Sequence, residues 1–411
     1  MTDAPRRVGM RDVFAEPGYR RLWSARTASQ GGDVFATVAL SLLVFDLTGS
    51  PLGVSAVVFA EIVPVLLLAP VAGTVVDRLP RVPVMIVADL WRAVLAVSLV
   101  FLADQPAAIY VIAFGLSGGA VVFNPAASSA IPALVREDEL VAANSGIWTA
   151  AVLSQIALAP VAGALYAAVG AGPAFGINAA SFVLSAALLA GLGLPASVVS
   201  TRRQGFFADA LAGARLLVGD RLLRALGAGQ LLAALSAGAT SALLVVLVRD
   251  HLQLAPSGYG LLLGAIGVGA VLGPIALTRL VADPRRPAFV FGPFVVRGLV
   301  DLVLATFTAL PVALAALAIY GLGTSTGTVT FNSLLQAHTP EEARGRIFAS
   351  FDLFWQLGRL VSLLVGGVLA AALGISAVYY LGGALLLLAA GIGYRGSRAA
   401  PRGGSSASAR E

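Results

Sequence analysis

Arg26, Gln30 and Asp33 stand at i, i+4 and i+7 in a stretch that is otherwise almost wholly apolar, with "SQGGDVFATVALSLLVF" covering residues 29–45. Helical spacing puts these three and Thr37 on one face. An ionised aspartate in bilayer hydrocarbon costs at least about 2.5 kcal/mol, so such a stripe must look onto protein or trapped water. Two readings follow for Asp33: a carboxylate that binds a proton or recognises a cation, or a structural aspartate paired with Arg26 or a neighbouring helix. Glu61, in "VVFAEIVPVLLLAP", is a second isolated carboxylate, open to the same proton-carrying role or to a packing role. Asp352, Gln356 and Arg359 repeat the i, i+4, i+7 spacing with the charge order reversed, giving either a second cavity stripe or an internally neutralised packing face. Asp89 with Arg92 (i, i+3) and Arg297 with Asp301 (i, i+4) are spaced for intrahelical pairing.

Other chemistries are poorly provided for. There is no Cys, hence no thiolate nucleophile, thiolate metal site or disulfide framework. The two histidines, His251 and His338, fall in expected loops, and no nucleophile elbow is present. The Gly-rich run "GAIGVGAVLG" lies in an apolar span with no Lys-Ser/Thr after it, so it is not a phosphate-binding loop. Neither an enzyme nor an ATP-driven machine is expected. No cofactor and no metal are expected, and a proton gradient is the expected energy source.

The elements that hold these charges follow from hydropathy. Apolar residues make up 58% of the 411 residues and charged residues 12%, with mean hydropathy +0.90. Ordinary soluble domains carry about 25% charge. Here the charges are gathered in short clusters between apolar runs of roughly 20 residues, the length of one bilayer crossing. Twelve helices are predicted near 21–46, 52–76, 83–103, 107–130, 141–168, 172–195, 222–248, 257–281, 287–308, 311–334, 345–372 and 375–394. The fold class is therefore all-α integral membrane, in two six-helix bundles.

Alternate loops differ in charge. One set, with both termini, holds nearly all of the loop arginines, among them Arg202, Arg203, Arg285 and Arg286; the other holds only Arg249. The positive-inside rule places the first set, and both termini, in the cytoplasm. That also accounts for the sequence pI of about 10.1 without nucleic acid as a partner. The polar N-terminus lacks the apolar core of a cleaved signal peptide. The expected division is a cytoplasmic segment at 1–20, a first bundle at 21–195, a linker at 196–220, a second bundle at 221–395 and a disordered tail at 396–411. Within the linker Phe206, Phe207, Ala210, Leu211, Ala214 and Leu217 recur at helical spacing, as in an amphipathic helix on the inner leaflet.

The halves are related to each other. "FNPAASSAIPALVREDELVAANS" (123–145) aligns with "FNSLLQAHTPEEARGRIFASF" (331–351), pairing Asn124 with Asn332, and "GALYAAVG" (163–170) with "GVLAAALG" (367–374). Asn124 and Asn332 are expected to hydrogen-bond between helices. Parallel six-helix repeats place a substrate site between the bundles, near the membrane midplane.

With these features the chain resembles the major facilitator superfamily of secondary transporters. "GTVVDRLPR", with Gly73, Asp77, Arg78 and Arg81, is similar to the signature loop G-x-x-x-D-R-x-G-R-R, departing from it at Pro80 and Val82. "GDVFATVALSLLVFDLTGSPLGVS", "ADLWRA" and "EEARGRIFA" resemble the macrolide-efflux and enterobactin-exporter branch over residues 18–395. "ALAPVAGA" resembles the exporters' fifth-helix motif, keeping Pro160 and Gly163 with Ala159 in place of the first Gly. The resemblance implies alternating access by a monomer in the cell membrane, with the first helix lining the cavity and the third and ninth at the periphery. On that basis Asp89–Arg92 and Arg297–Asp301 are structural pairs, and Asp77, Arg78 and Arg81 latch the cytoplasmic face. The function implied is proton-coupled efflux of a lipophilic or amphiphilic small molecule; a siderophore exporter, or an importer or uniporter of the same fold, is the alternative.

Overall fold

The computed structural model describes residues 9–194, 206–281, 283 and 287–398. Arg202, Arg203, Arg285, Arg286 and the expected tail beyond 398 lie outside the described residues. In lipid every backbone N–H and C=O must be satisfied within the chain, and helices do this segment by segment. The first half has a short α1 (Met10–Ala15), then α2 (Pro17–Thr48), α3 (Pro51–Arg78), α4 (Arg81–Leu102), α5 (Pro106–Ala130), α6 (Leu140–Val169) and α7 (Gly172–Ala190). After α8 (Phe206–Gly219), the second half has α9 (Arg221–Ala242), a one-turn α10 (Leu244–Val246), α11 (Pro256–Leu280), α12 (Pro287–Thr306), α13 (Leu310–His338), α14 (Glu341–Leu373) and α15 (Ile375–Arg398). Twelve of these are long and apolar enough to cross a membrane.

Local sequence sets the ends. Ser50 caps α3 by accepting from Leu52 N at 3.2 Å, with Pro51 in the first turn, where a missing N–H costs nothing. Gly170 and Gly374, paired in the internal repeat, end α6 and α14 with φ of +79° and +85°, a conformation that strains any residue with a Cβ.

The expected seventh span, 222–248, is interrupted. α9 stops at Ala242, and after α10 the chain passes through a π-helical turn over Leu247–His251. The apolar run continues across this break, so hydropathy gives no sign of it. The linker helix α8 is not simply a leaflet-lying helix. It packs along α14, with Gly213 against Arg346 and Ser350 and Leu217 buried in the core of the second half, while Leu211 is exposed.

Packing repeats between the halves. The neighbours α2–α6, α2–α7, α3–α5, α4–α5 and α4–α7 have counterparts in α9–α14, α9–α15, α11–α13, α12–α13 and α12–α15. The halves meet chiefly along two seams, α6 on α11 and α3 on α14. Small residues allow the close approach. A methyl at Gly163 would lie 3.1 Å from Gly260 N and 3.2 Å from the Pro256 carbonyl, and one at Gly264 would lie 3.0 Å from Pro160 Cγ. On the other seam Gly367 faces Ser55 and Leu52. Both seams lie towards the face opposite the termini. The close contacts of α6 with the glycines of α11 run from Ile156 to Pro160, and Gly163 lies against Gly260, while nearer the terminal face Val141 and Trp148 stand 79% and 49% exposed.

Candidate functional site

The polar stripe of α2 is open where most of the helix around it is buried. From Ser29 to Phe45 most of the helix is buried, yet Gln30 is part-exposed, Thr37 is exposed and the Asp33 side chain is 47% exposed. From Leu22 to Asp33 is about 16 Å of helix rise, which puts this part-exposed carboxylate near mid-membrane. Asp33 does not pair with Arg26 on its own helix; Arg26 is part-buried, one turn and more towards the terminal face. Its partner is Arg92 of α4, with Nη1 at 3.9 Å from Oδ2.

This changes the meaning of the Asp89–Arg92 pair. The two do form a close ion pair, as their spacing predicts, and both are buried. But Arg92 is not confined to a peripheral helix. Its guanidinium lies 4.7 Å from the Phe123 ring centre and 4.2 Å from that of Phe182, and it reaches past them to Asp33. One guanidinium thus serves two carboxylates, and the aromatic faces add favourable electrostatics to its apolar setting. Gly119 permits this, since a Cβ there would lie 2.7 Å from Arg92 Cγ.

Glu61 on α3 is part-buried, and the charges acting on it are Arg359 of α14 and Asp33. The acidic residue of one half is therefore attracted by a guanidinium of the other, with no ion pair between the two. Arg359 also donates to Gln356 Oε1 at 3.5 Å. At the other end of that stripe Asp352 is exposed and lines a cavity of about 450 Å³ within the second half, together with Trp355, Phe348, Asn332, Tyr320 and Arg297. Of the α14 stripe Asp352 lines this cavity, and it does not pair with Arg359, which bonds to Gln356 instead, so the stripe is not internally neutralised.

The pairing expected for Arg297 and Asp301 is not formed. Arg297 donates to Tyr320 Oη of α13 at 3.0 Å and lies 4.8 Å from that ring's centre, while Asp301 accepts from Ser236 of α9 at 3.4 Å. Each side chain bonds to the helix it packs against. Asn124 is exposed and Asn332 lines the cavity, and neither makes the interhelical hydrogen bond expected of it.

In the signature loop, Asp77 and Arg78 are exposed, and among the described residues neither they nor Arg81 forms an ion pair or hydrogen bond; a Cβ at Gly73 would meet open space. The expected latch is thus not engaged in this structure. Pro160 and Gly163 sit in the α6–α11 seam. At the opposite face is a group that the sequence reading passed over: Asp46 of α2 accepts from Arg249 at 3.3 Å and from Tyr166 Oη at 2.8 Å, tying the halves together. The available signal was Arg249 itself, the single arginine of its set of loops. An apolar groove of about 720 Å³ lies elsewhere, between α3, α4 and α5, lined by residues such as Trp91 and Val87.

Known proteins fit this picture. Over 383 residues the chain is 28% identical to the multidrug efflux pump Tap of Mycobacterium tuberculosis (strain ATCC 25618 / H37Rv), covering 90% of this chain and 91% of that one. A bacterial homologue of the iron transporter ferroportin, in an inward-facing state, superposes with TM-score 0.75 at 19% identity over 92% of this chain and 98% of its own. A point mutant of the nucleoside transporter NupG gives TM-score 0.77 at 12% identity over 92% and 99%. The profile described as "Transmembrane secretion effector" matches residues 12–407. The chain is therefore a multi-pass membrane transporter of the major facilitator superfamily, belonging to its transmembrane secretion effector family.

Proposed function

We propose that the chain is a proton-driven antiporter that exports a lipophilic or amphiphilic small molecule by alternating access. One observation carries this reading: a part-exposed carboxylate near mid-membrane, Asp33, with the buried guanidinium of Arg92 3.9 Å from it. Such a group can load a proton from one aqueous phase, and Arg92 offers it a reason to lose that proton again. Glu61, opposite Arg359 across the seam, is the second exchanging carboxylate. Gaining or losing its proton changes the attraction between the halves, which ties protonation to their rocking.

Loop arginines support a cell-membrane orientation with both termini cytoplasmic. In that orientation the cavity opens to the cytoplasm and the seams close the far face. Asp77, Arg78 and Arg81 then engage when the cytoplasmic side closes, Asp77 accepting from an arginine or a helix N-terminus. The direction of transport draws on the likeness to Tap, itself a multidrug efflux pump. Both bundles are in one chain, so a single copy holds the whole pathway, and surrounding lipid is its other partner.

The test is dye and drug accumulation in efflux-deficient cells expressing the chain, with and without a protonophore. The parent should lower accumulation, the protonophore should restore it, and Asp33→Asn should restore it while leaving the protein in the membrane. Unchanged export by Asp33→Asn removes Asp33 from the coupling; uptake in place of export reverses the direction.

A further inference from the structure

The interior holds five carboxylates, at Asp33, Glu61, Asp89, Asp301 and Asp352, against four guanidiniums, at Arg26, Arg92, Arg297 and Arg359. Arg92 acts on Asp33 and Asp89, Arg359 acts on Glu61, and Arg297 acts on Asp301. Among these described carboxylates Asp352 is the one with no arginine acting on it, and it makes no hydrogen bond or ion pair. It is nonetheless built into a cavity of about 450 Å³ whose lining includes six aromatic residues. Trp355 lies three residues along the same helix and Phe348 four residues before it, so both flank the carboxylate on its own face.

Asp352 is exposed to this cavity, so a ligand that fills it and strips the carboxylate of water meets a cost unless it brings the opposite charge. Aromatic faces favour the same sign, since their negative quadrupoles attract cations. The one cation in the cavity wall does not compete for Asp352. Arg297 is buried, bonded to and stacked on Tyr320, and offset by Asp301. The remaining polar lining, including Gln230, Thr324 and Asn332, is uncharged.

We propose that this cavity binds a lipophilic organic cation, with Asp352 as its counter-ion and Trp355 and Phe348 as its apolar contacts. The N-terminal half then carries the proton-exchanging carboxylate and the C-terminal half the cargo. The proposal rests on the transport reading for the fate of the cation, but binding is measurable without any gradient. Purified full-length protein is dialysed against tetraphenylphosphonium and, separately, against tetraphenylborate, two ions of nearly the same shape and opposite charge. The cation should bind, and the anion should bind at least about tenfold more weakly, the ratio that about 1.4 kcal/mol of charge discrimination gives. Asp352→Asn should weaken the cation by about tenfold or more with no change in thermal unfolding, since it breaks no internal bond. Asp352→Glu, which keeps the charge, should stay within about threefold of the parent, an affinity difference under about 0.7 kcal/mol. Should Asp352→Asn prove unstable, the two-ion comparison on the parent and Asp352→Glu decides. Equal affinity for the two ions, or an Asp352→Asn protein that binds the cation as the parent does, overturns the proposal. Retained cation binding with no export in cells would instead overturn the transport reading and leave the site standing.

Discussion

Arg92 is the residue on which most of the candidate site turns. It is buried, ion-paired to Asp89, within 3.9 Å of Asp33 and flanked by two phenylalanine rings. Removing the guanidinium leaves the fully buried carboxylate of Asp89 without its partner, and breaking one side of a buried ion pair costs about 3–5 kcal/mol. Arg92→Met should therefore lower stability by about 3 kcal/mol, read as a drop in Tm of the purified protein. Adding Asp89→Asn to Arg92→Met should recover part of that loss, because the neutral amide no longer demands a partner. Recovery of nothing would place the stabilisation in the aromatic contacts. Asp33 was legible in the sequence because its peculiarity lies along one helix: a lone acid on a polar stripe. Its link to Arg92 was not, since α2 and α4 are each packed on α7 and meet through one long side chain. The i, i+3 spacing points Arg92 at Asp89, and nothing in that spacing tells of a second acid on another helix. Arg297 and Asp301 show the same limit, as their i, i+4 spacing yields to bonds with Tyr320 and Ser236.

Helices were easier to read than their neighbours. Runs of apolar residues bounded by Pro, Gly and Arg gave the twelve spans, while the break after α9 went unseen because its residues stay apolar through Val248. The start of α9 is built on Asp220, which accepts from Leu223 N at 2.8 Å and lies 3.2 Å from His338 Nε2. Burial pushes this carboxyl up, but the hydrogen bonds from the Leu223 backbone and the His338 ring outweigh it and hold the group below the usual carboxylate range. A depressed value means that the cap stabilises the fold above the unfolded pKa and is lost as pH falls through the folded one. Asp220→Ala should cost about 1 kcal/mol near neutral pH, and thermal melts of variant and parent should converge below about pH 4. The α6–α11 seam makes a different demand. A Cβ at Gly163 would lie 3.1 to 3.2 Å from backbone atoms of Gly260 and Pro256, which cannot swing away as a side chain could. Gly163→Val should force the seam apart and disfavour the conformation in which that face is closed. Spin labels on α6 and α11, introduced as cysteines into a chain that has none, should report a longer distance at the face opposite the termini. An unchanged distance would mean that the seam yields elsewhere.

At the scale of the whole molecule, the halves repeat one packing scheme and touch along two seams that exchange under that repeat. The duplication was legible, and the aligned glycines do the same work in both copies: Gly163 and Gly367 lie in the two seams, and Gly170 and Gly374 end their helices with positive φ. Which face is closed was not legible, because one sequence must stabilise both states with nearly equal free energy. The closed face is held by small-residue packing and by the Asp46–Arg249–Tyr166 cluster. Asp46 and Arg249 side chains are 35% and 29% exposed, so the pair is weakened by solvent and worth at most about 1 kcal/mol. A bias of that size shifts a two-state ratio by about fivefold, enough to matter where the states are close in free energy. Asp46→Asn should accordingly raise the fraction open at that face by up to about fivefold without unfolding the protein. A Thr37→Cys reporter, at an exposed position on the α2 stripe, allows the shift to be read as maleimide labelling from each side of oriented vesicles. Labelling from the face opposite the termini should rise in Asp46→Asn and fall from the terminal face. If neither changes, the glycine seams close that face unaided, and the charged cluster is only an ornament of the loop.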